Sequence, residues 1–208
     1  MSSDGGSRKE RLPSVMNVRR CSWVGSDPLM VAYHDTEWGV PVHDDRRLFE
    51  FMVLEAMQAG LNWRIVLQKR QNLARALHGF DLRRVAGYGD HDLQRLLTTE
   101  GIIRNRLKLA ATIANAQAAL RVQSTVGSLD AYLWQFVDGT PLSNAWQDDS
   151  QIPPTSPEAV SMSNGLKSHG FRFVGPTICY AFMQATGLVN DHIVSCFRYP
   201  ELTNEVAP

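Results

Sequence analysis

The segment 93–111, LQRLLTTEGIIRNRLKLAA, predicts two helices joined by a tight turn. Gly101 lets the backbone turn sharply, and a basic helix starts near Arg104. The N-terminus of that helix would offer N–H groups and a positive dipole end to a phosphate, and Arg106 and Lys108 would add charge. Two structures fit the pattern: a helix-hairpin-helix clamp on a nucleic-acid backbone, or a plain corner between helices with solvated basic side chains.

Helical signals continue on both sides of this segment. A capping residue followed by helical periodicity predicts a helix from Asp44 or Asp45 to about residue 57, and another from Asn62 to about residue 77. Asp81 and Asp90 would cap two shorter helices. Further helices are predicted at 104–122, 128–137, 157–169, 175–186 and 190–197, with a loop over 138–157. Because no run alternates as strands do, the sequence predicts an all-α fold.

The composition indicates an ordinary globular protein. The chain has 208 residues, 44% of them hydrophobic and 20% charged, and its net charge is +0. A global basic field is therefore absent, so a polyanionic partner would need a local patch. No apolar run approaches the roughly 20 residues of a membrane span, so we expect no membrane partner. We expect a monomer.

We expect three segments: a flexible polar tail over 1–20, a single α-helical domain over 21–200 and a C-terminal tail over 201–208. The N-terminal residues lack the apolar core of a signal peptide, so the sequence favours a cytoplasmic location. The three cysteines are too few for a disulfide framework.

Glu55 lies on an otherwise apolar face of a predicted helix, together with Leu48, Phe51 and Met52. A carboxylate on such a face is costly unless something pairs with it. Four aromatic residues flank it in the sequence and could form flat walls for a cationic or electron-poor ligand: Trp23, Tyr33, Trp38 and Trp63. Ordinary core packing of these aromatic side chains is the alternative.

Two pairs of potential metal ligands lie near the ends of the domain. Cys21 and His34 belong to the stretch CSWVGSDPLMVAYH, and His192 and Cys196 are spaced i and i+4 in HIVSC, which would put them on one face of a helix. Two cysteines and two histidines suit a closed, structural Zn²⁺ site. Alternatively, these residues are buried thiols and histidines with ordinary hydrogen bonds.

Several ordered motifs resemble the DNA-3-methyladenine glycosylase I family, a branch of the helix-hairpin-helix DNA glycosylases. The resemblance runs from Cys21 to about Pro200. It rests on the strings CSWVGSDPLMVAYHDTEWGVP, EAMQAGLNW, EGIIRNRLK, GFRFVGPTICYAFMQATGLVNDH and HIVSC.

The resemblance implies a helix-hairpin-helix DNA glycosylase fold, with a structural zinc joining the N- and C-terminal segments. It implies excision of 3-methyladenine from double-stranded DNA carrying alkylated bases, with base flipping and without a lyase step. The resemblance assigns residues of this chain to four sets, as follows. The zinc ligands are Cys21, His34, His192 and Cys196; the catalytic residue is Glu55; the base-binding residues are Trp23, Tyr33, Trp38, Glu55 and Trp63; the DNA-binding residues are Gln58, Gly60, Leu61, Gly101, Ile102, Ile103 and Arg104.

This chain departs from the family pattern at three positions. Asn62 stands where the family usually has Ser, Arg64 where it often has Thr or Ile, and Ala181 where it often has Ser. Asn caps a helix as well as Ser does, so the fold should survive. If the Ser touches the base, the loss of one hydrogen bond at Ala181 would cost about 1 kcal/mol.

Two other functions fit parts of the sequence. In a metal-dependent hydrolase, the pairs His34-Asp35 and Asp191-His192 would ligate a catalytic metal with an open position. A non-catalytic module for damaged or bent DNA would keep the basic hairpin and release no base.

Overall fold

Ten α-helices make up most of the part of the chain that the computed structural model describes, residues 18–204. The predicted tail therefore lies outside the described residues up to position 17. The helices are α1 Pro28–Thr36, α2 Asp45–Gln58, α3 Trp63–Ala76, α4 Leu82–Ala86, α5 Asp90–Thr98, α6 Arg106–Val126, α7 Leu129–Trp134, α8 Pro157–Ser168, α9 Pro176–Ala185 and α10 Arg198–Asn204. Single 3-10 turns lie at Ser22–Val24, His78–Phe80, Gln135–Val137 and Asp149–Gln151.

The predicted caps start most of these helices. The side chain of Asp44 accepts a hydrogen bond from the Arg47 amide, and Asn62 caps α3 in the same way. Asp81 caps α4. The prediction for Asp90 is wrong by one residue, because Gly89 is the cap and Asp90 begins α5. Local hydrogen bonding therefore fixes these starts, as the sequence suggested.

Helix α2 is the centre of the domain. Every residue from Leu48 to Met57 is buried, and α3, α6, α7 and α9 pack around the helix. Burial of one large apolar side chain contributes roughly 1.5–3 kcal/mol to folding. The two carboxylates in this buried stretch differ. Glu50 binds Arg47 and Arg70, whereas Glu55 makes no hydrogen bond or ion pair within residues 18–204.

The predicted helix over 190–197 is wrong. Residues Val189–Asn190 form strand β2, which pairs in parallel with strand β1, Leu142–Ser143. The fold is mostly helical, as the all-α prediction implies, and these two short strands are the exception to it within residues 18–204. The physical reason lies at Asp191, which is 1% exposed and whose carboxylate accepts four hydrogen bonds at 2.6–2.8 Å from Tyr180, Gln184, Asn144 and Trp146. These donors hold the segment in an irregular conformation.

Helices also lie near both ends of the domain. Helix α1, which the sequence did not predict, is capped by Asp27 and has Pro28 at its first position. Beyond the expected domain boundary at residue 200, α10 continues to Asn204 and Leu202 is buried. Within residues 18–204, no helix has the length and apolar character that a membrane crossing requires.

We predict that Gly187→Ala destabilises the fold strongly. Gly187 has φ +71°, and a Cβ atom there would clash with the backbone nitrogen of Pro41. We expect a loss of roughly 2–5 kcal/mol in the free energy of unfolding, from backbone strain and overpacking. Gly139→Ala is the matched control, since Gly139 has φ +73° with no atom within 4 Å and should lose only about 1–2 kcal/mol. Urea denaturation of both variants tests this, and equal losses would contradict it.

Candidate active site

A cavity of about 380 Å³ opens between α1, the C-terminal end of α2, the start of α3 and α9. All five residues predicted to bind the base line it. Sequence reasoning missed three further lining residues, and no local pattern marks them as cavity residues. The full lining is Trp23, Tyr33, Trp38, Glu55, Gln58, Trp63, Asp149, Ile152, Ala181 and Gln184.

Aromatic rings form the walls. The rings of Trp23 and Trp38 meet edge to face with centroids 5.0 Å apart, and those of Tyr33 and Trp63 are tilted with centroids 5.3 Å apart. Tyr33 and Trp38 are buried, so other side chains fix their orientation. A rigid aromatic slot of this kind suits a flat ring.

Glu55 is 4% exposed at this cavity. Its carboxyl makes no hydrogen bond within the described residues, and burial raises the pKa of this carboxyl from 4.5 to about 8. The carboxyl therefore keeps its proton at neutral pH when only the protein surrounds it. A cationic ligand would favour ionisation, because an opposite charge stabilises the carboxylate.

Two more polar groups at the cavity lack partners in the part of the chain described. The indole nitrogen of Trp63 and Oδ1 of Asp149 are buried without a hydrogen bond. Burial and the Glu55 carboxylate raise the pKa of Tyr33, so its hydroxyl stays protonated. The cavity thus offers both donors and acceptors, which favours a heterocycle with polar edges over a plain aromatic ring.

The four predicted metal ligands come together, although the helix predicted to carry two of them does not exist. The ligand atoms of Cys21, His34, His192 and Cys196 all lie within 4.8 Å of one another. The Cys196 sulfur lies 3.5 Å from Nε2 of His34 and 3.5 Å from Nδ1 of His192. Tetrahedral Zn²⁺ with ordinary bond lengths would separate sulfur and nitrogen ligands by roughly 3.6 Å. The donor set and its spacing therefore fit zinc.

In both histidines, the ring nitrogen that faces away from the cysteine sulfurs also has a hydrogen-bonding partner. Nδ1 of His34 lies 2.8 Å from Asp35, and Arg20 binds that carboxylate in turn. Nε2 of His192 lies 3.0 Å from the Trp38 carbonyl. These contacts leave Nε2 of His34 and Nδ1 of His192 facing the sulfurs, which is the arrangement that metal-binding histidines use.

The arrangement does not favour a hydrolase with an open metal position. Asp35 is paired with Arg20, and the carboxylate of Asp191 is occupied by four donors. In the described residues, the metal-competent group contains two sulfurs and two nitrogens and neither of these carboxylates. Four protein ligands fill a tetrahedral site and leave no position for a water nucleophile.

The loop of residues 58–61 lies at the cavity edge. The Leu61 amide donates to the Gln58 carbonyl at 2.6 Å, and Gly60 has φ +75°. The Leu61 side chain is 39% exposed.

The prediction that Lys108 adds charge for a phosphate is wrong, because Lys108 is buried and donates to the carbonyls of Met57 and Ala59.

The turn between α5 and α6 has the predicted glycine conformation, since φ of Gly101 is +80°. None of the amides of residues 101–104 donates a hydrogen bond within residues 18–204. Arg104 and Arg106 are exposed, whereas the Ile102 side chain is buried. A ligand at this turn would therefore meet main-chain amides and two guanidinium groups, and not the side chain of Ile102.

Comparison with known proteins identifies close similarities. A family model described as methyladenine glycosylase matches residues 23–199. DNA-3-methyladenine glycosylase 1 of Escherichia coli (strain K12) is 46% identical over 183 residues, which cover 88% of this chain and 98% of that protein.

Solved structures agree. A crystal structure of 3-methyladenine DNA glycosylase I (TAG) superposes with a TM-score of 0.86 at 49% identity, covering 88% of this chain and 100% of that one. A Staphylococcus aureus 3-methyladenine DNA glycosylase I, solved to explain 3-methyladenine recognition, gives a TM-score of 0.85 at 33% identity, covering 87% and 96%.

We predict that Glu55 makes the protein less stable as the pH rises from about 5 to about 8. Its pKa is about 8 in the folded protein and near 4.5 when unfolded, so the folded state binds the extra proton in this range. The free energy of unfolding should fall by up to about 1.4 kcal/mol per pH unit and then level off. Glu55→Gln should remove this slope, whereas Glu201→Gln, which changes an exposed side chain of α10, should retain it. Denaturation at several pH values tests this, and the same slope in Glu55→Gln would contradict it.

Proposed function

The chain belongs to the methyladenine glycosylase family, and from that premise we propose that it excises 3-methyladenine from alkylated DNA. Like its relatives, it is a DNA glycosylase, which hydrolyses an N-glycosidic bond. The observation that carries the proposed substrate is the unpaired, buried carboxyl of Glu55 in an aromatic cavity. Such a carboxyl suits a flat ring that supplies hydrogen-bond donors and positive charge.

Charge is the basis of selection in this proposal. Methylation at N3 leaves the adenine of a nucleotide with a positive charge, whereas unmodified adenine is neutral. The cation would lower the pKa of Glu55 from about 8 and ionise the carboxyl. Neutral adenine would bring no such compensation, so the cavity would bind it less tightly.

The same positive charge weakens the bond to be broken, because the base departs as a neutral molecule. The enzyme then needs mainly to bind the lesion and to stabilise the positive charge that develops on the sugar. Water is the final nucleophile in this proposal. The cavity lining in residues 18–204 contains no lysine, which supports hydrolysis without a Schiff base or strand cleavage.

Access to the base requires flipping, since a base stacked in a duplex cannot reach a carboxyl that is buried in a cavity. The volume of about 380 Å³ is sufficient for one base. The exposed Leu61 would fill the gap that the base leaves in double-stranded DNA. Gln58 lines the cavity and lies on the same turn, so it would contact the flipped nucleotide.

We assign the turn between α5 and α6 to the DNA backbone, as the hairpin of a helix-hairpin-helix clamp. Gly101, Ile102 and Ile103 would bind a phosphate through their amides. Arg104 and Arg106 would add local positive charge to a chain whose net charge is +0.

We propose that Cys21, His34, His192 and Cys196 bind a structural Zn²⁺. With four protein ligands, the ion would tie the terminal segments together and take no part in the chemistry. Trp38 supports this role, since its ring lies 4.5 Å from that of His192 and also lines the cavity.

Base release from methylated duplex DNA tests the proposed function. We expect the protein to release free 3-methyladenine, identified by mass. Glu55→Gln should reduce the single-turnover rate by at least about tenfold, because a neutral amide attracts the cationic base less.

Glu201→Gln is the control, because it makes the same chemical change on an exposed part of α10, and it should retain the parent rate. Folded protein that binds DNA and releases no base would favour the non-catalytic module. Equal 3-methyladenine affinity in Glu55→Gln and the parent would refute the role of Glu55.

Metal analysis tests the zinc proposal. The purified protein should contain about one zinc ion per chain, and Cys196→Ala should lose it because three ligands leave the site open. We expect a lower melting temperature for Cys196→Ala and for chelator-treated protein. Cys179→Ala removes the buried cysteine outside the cluster and should keep the zinc. Protein without metal and insensitive to chelators would contradict the proposal.

A further inference from the structure

Lys108 has an unusual environment for a lysine. Only 6% of the residue is exposed, and it has no carboxylate partner within residues 18–204. Its ammonium group donates to the carbonyl of Met57 at 2.9 Å and to that of Ala59 at 2.5 Å. Burial lowers the pKa of this amine. A buried cation without a counter-charge is costly, so its two acceptors must provide most of its stabilisation.

These acceptors lie at the end of α2, immediately before and within the turn of residues 58–61. The last carbonyls of a helix have no partner in their own helix and form its negative dipole end. The ammonium therefore caps α2. It also fixes the main chain on both sides of Gln58, from which the turn to Leu61 starts.

The other end of the Lys108 side chain belongs to the hairpin helix. Its own amide donates to the Asn105 side chain, the N-cap of α6, at 3.1 Å. A second connection joins the hairpin to α3, where Asn72 donates to the Gly101 carbonyl at 3.3 Å. The turn of residues 58–61 separates α2 from α3, so these contacts link it to the hairpin on both sides.

We propose that Lys108 is a positioning residue that couples the two DNA-contacting elements. It fixes the position of Leu61 relative to the hairpin. When the hairpin binds the DNA backbone, Leu61 therefore lies at the base that is to be displaced. This inference rests on the proposed function, in which both elements contact DNA. It predicts that Lys108 matters for base displacement and not for binding of the free base.

The test replaces Lys108 with Met, which keeps the aliphatic stem and removes the donor. We expect single-turnover release of 3-methyladenine from methylated duplex DNA to fall by at least about tenfold. Affinity for a duplex with a tetrahydrofuran abasic analogue should fall by a similar factor. Affinity for free 3-methyladenine, measured by quenching of the cavity tryptophans, should stay within about twofold of the parent.

Three variants make the test specific. Lys108→Arg retains a charged donor and should recover most of the rate. Lys167→Met makes the same chemical change at an exposed lysine in α8 and should behave as the parent. Leu61→Ala should slow base release much more in the parent than in the Lys108→Met protein, because the two residues act through one step.

Several results would overturn the proposal: an unchanged rate in Lys108→Met, loss of free-base binding in parallel with the rate, or additive effects of Leu61→Ala and Lys108→Met. If Lys108→Met does not fold, Lys108→Gln replaces it with the same expectations.

Hydrogen exchange of the DNA-free protein separates this inference from the proposed function. The Leu61 amide should exchange faster in Lys108→Met than in the parent, while the amides in the core of α2 should exchange at the parent rate. Equal exchange rates of the Leu61 amide in the two proteins would overturn the inference. Failure of the parent to release base from methylated DNA would instead overturn the proposed function.

Discussion

The convergence of Cys21, His34, His192 and Cys196 is the constraint on which the rest of the site depends. Their ligand atoms lie within 4.8 Å of one another, although two come from each end of the domain. The cavity walls are attached to the same point. Trp23 follows Cys21 by two residues, Tyr33 precedes His34, and the rings of Trp38 and His34 are stacked with centroids 6.1 Å apart. A shift of any of these four side chains would therefore move the aromatic rings that form the cavity walls.

Glu55 is a buried polar residue that does not stabilise the fold. The central helix could have been stabilised further by an apolar side chain at this position, because all its neighbours from Leu48 to Met57 are buried. Instead it carries a carboxyl that no side chain in the described residues satisfies. Glu50 shows that the same helix can pair a buried carboxylate completely, with Arg47 and Arg70. The unpaired state of Glu55 is thus a local property of the cavity, where a bound cation would repay the cost of its desolvation.

The sequence predicted those features whose causes are local. Asn62 caps α3 through its own side chain, and the carboxyl on the apolar face was visible from helical periodicity alone. The interpretation of the Cys/His cluster as a metal site needed the resemblance, because spacing alone left buried thiols as an alternative. Features determined by distant partners were missed. Asp191 avoids a helix because Asn144 and Trp146 donate to it. Lys108 was assigned to a phosphate because nothing near it in sequence indicates that carbonyls about 50 positions earlier would bind it. Asp149 and Ile152 reach the cavity from a loop whose docking has no sequence pattern.

The net charge of the chain is zero, and this affects how the protein would bind DNA. With 21 basic and 21 acidic residues, the chain has no long-range field to hold it on DNA, so affinity must come from a few local contacts. Each phosphate that is neutralised increases the salt dependence of binding, and the hairpin presents the exposed Arg104 and Arg106. In the proposed function, most discrimination would then fall to the step in which a base leaves the stack and meets Glu55. For that step, the relative position of the hairpin, Leu61 and the cavity would matter more than total charge, and the hydrogen bonds of Lys108 and Asn72 connect these elements.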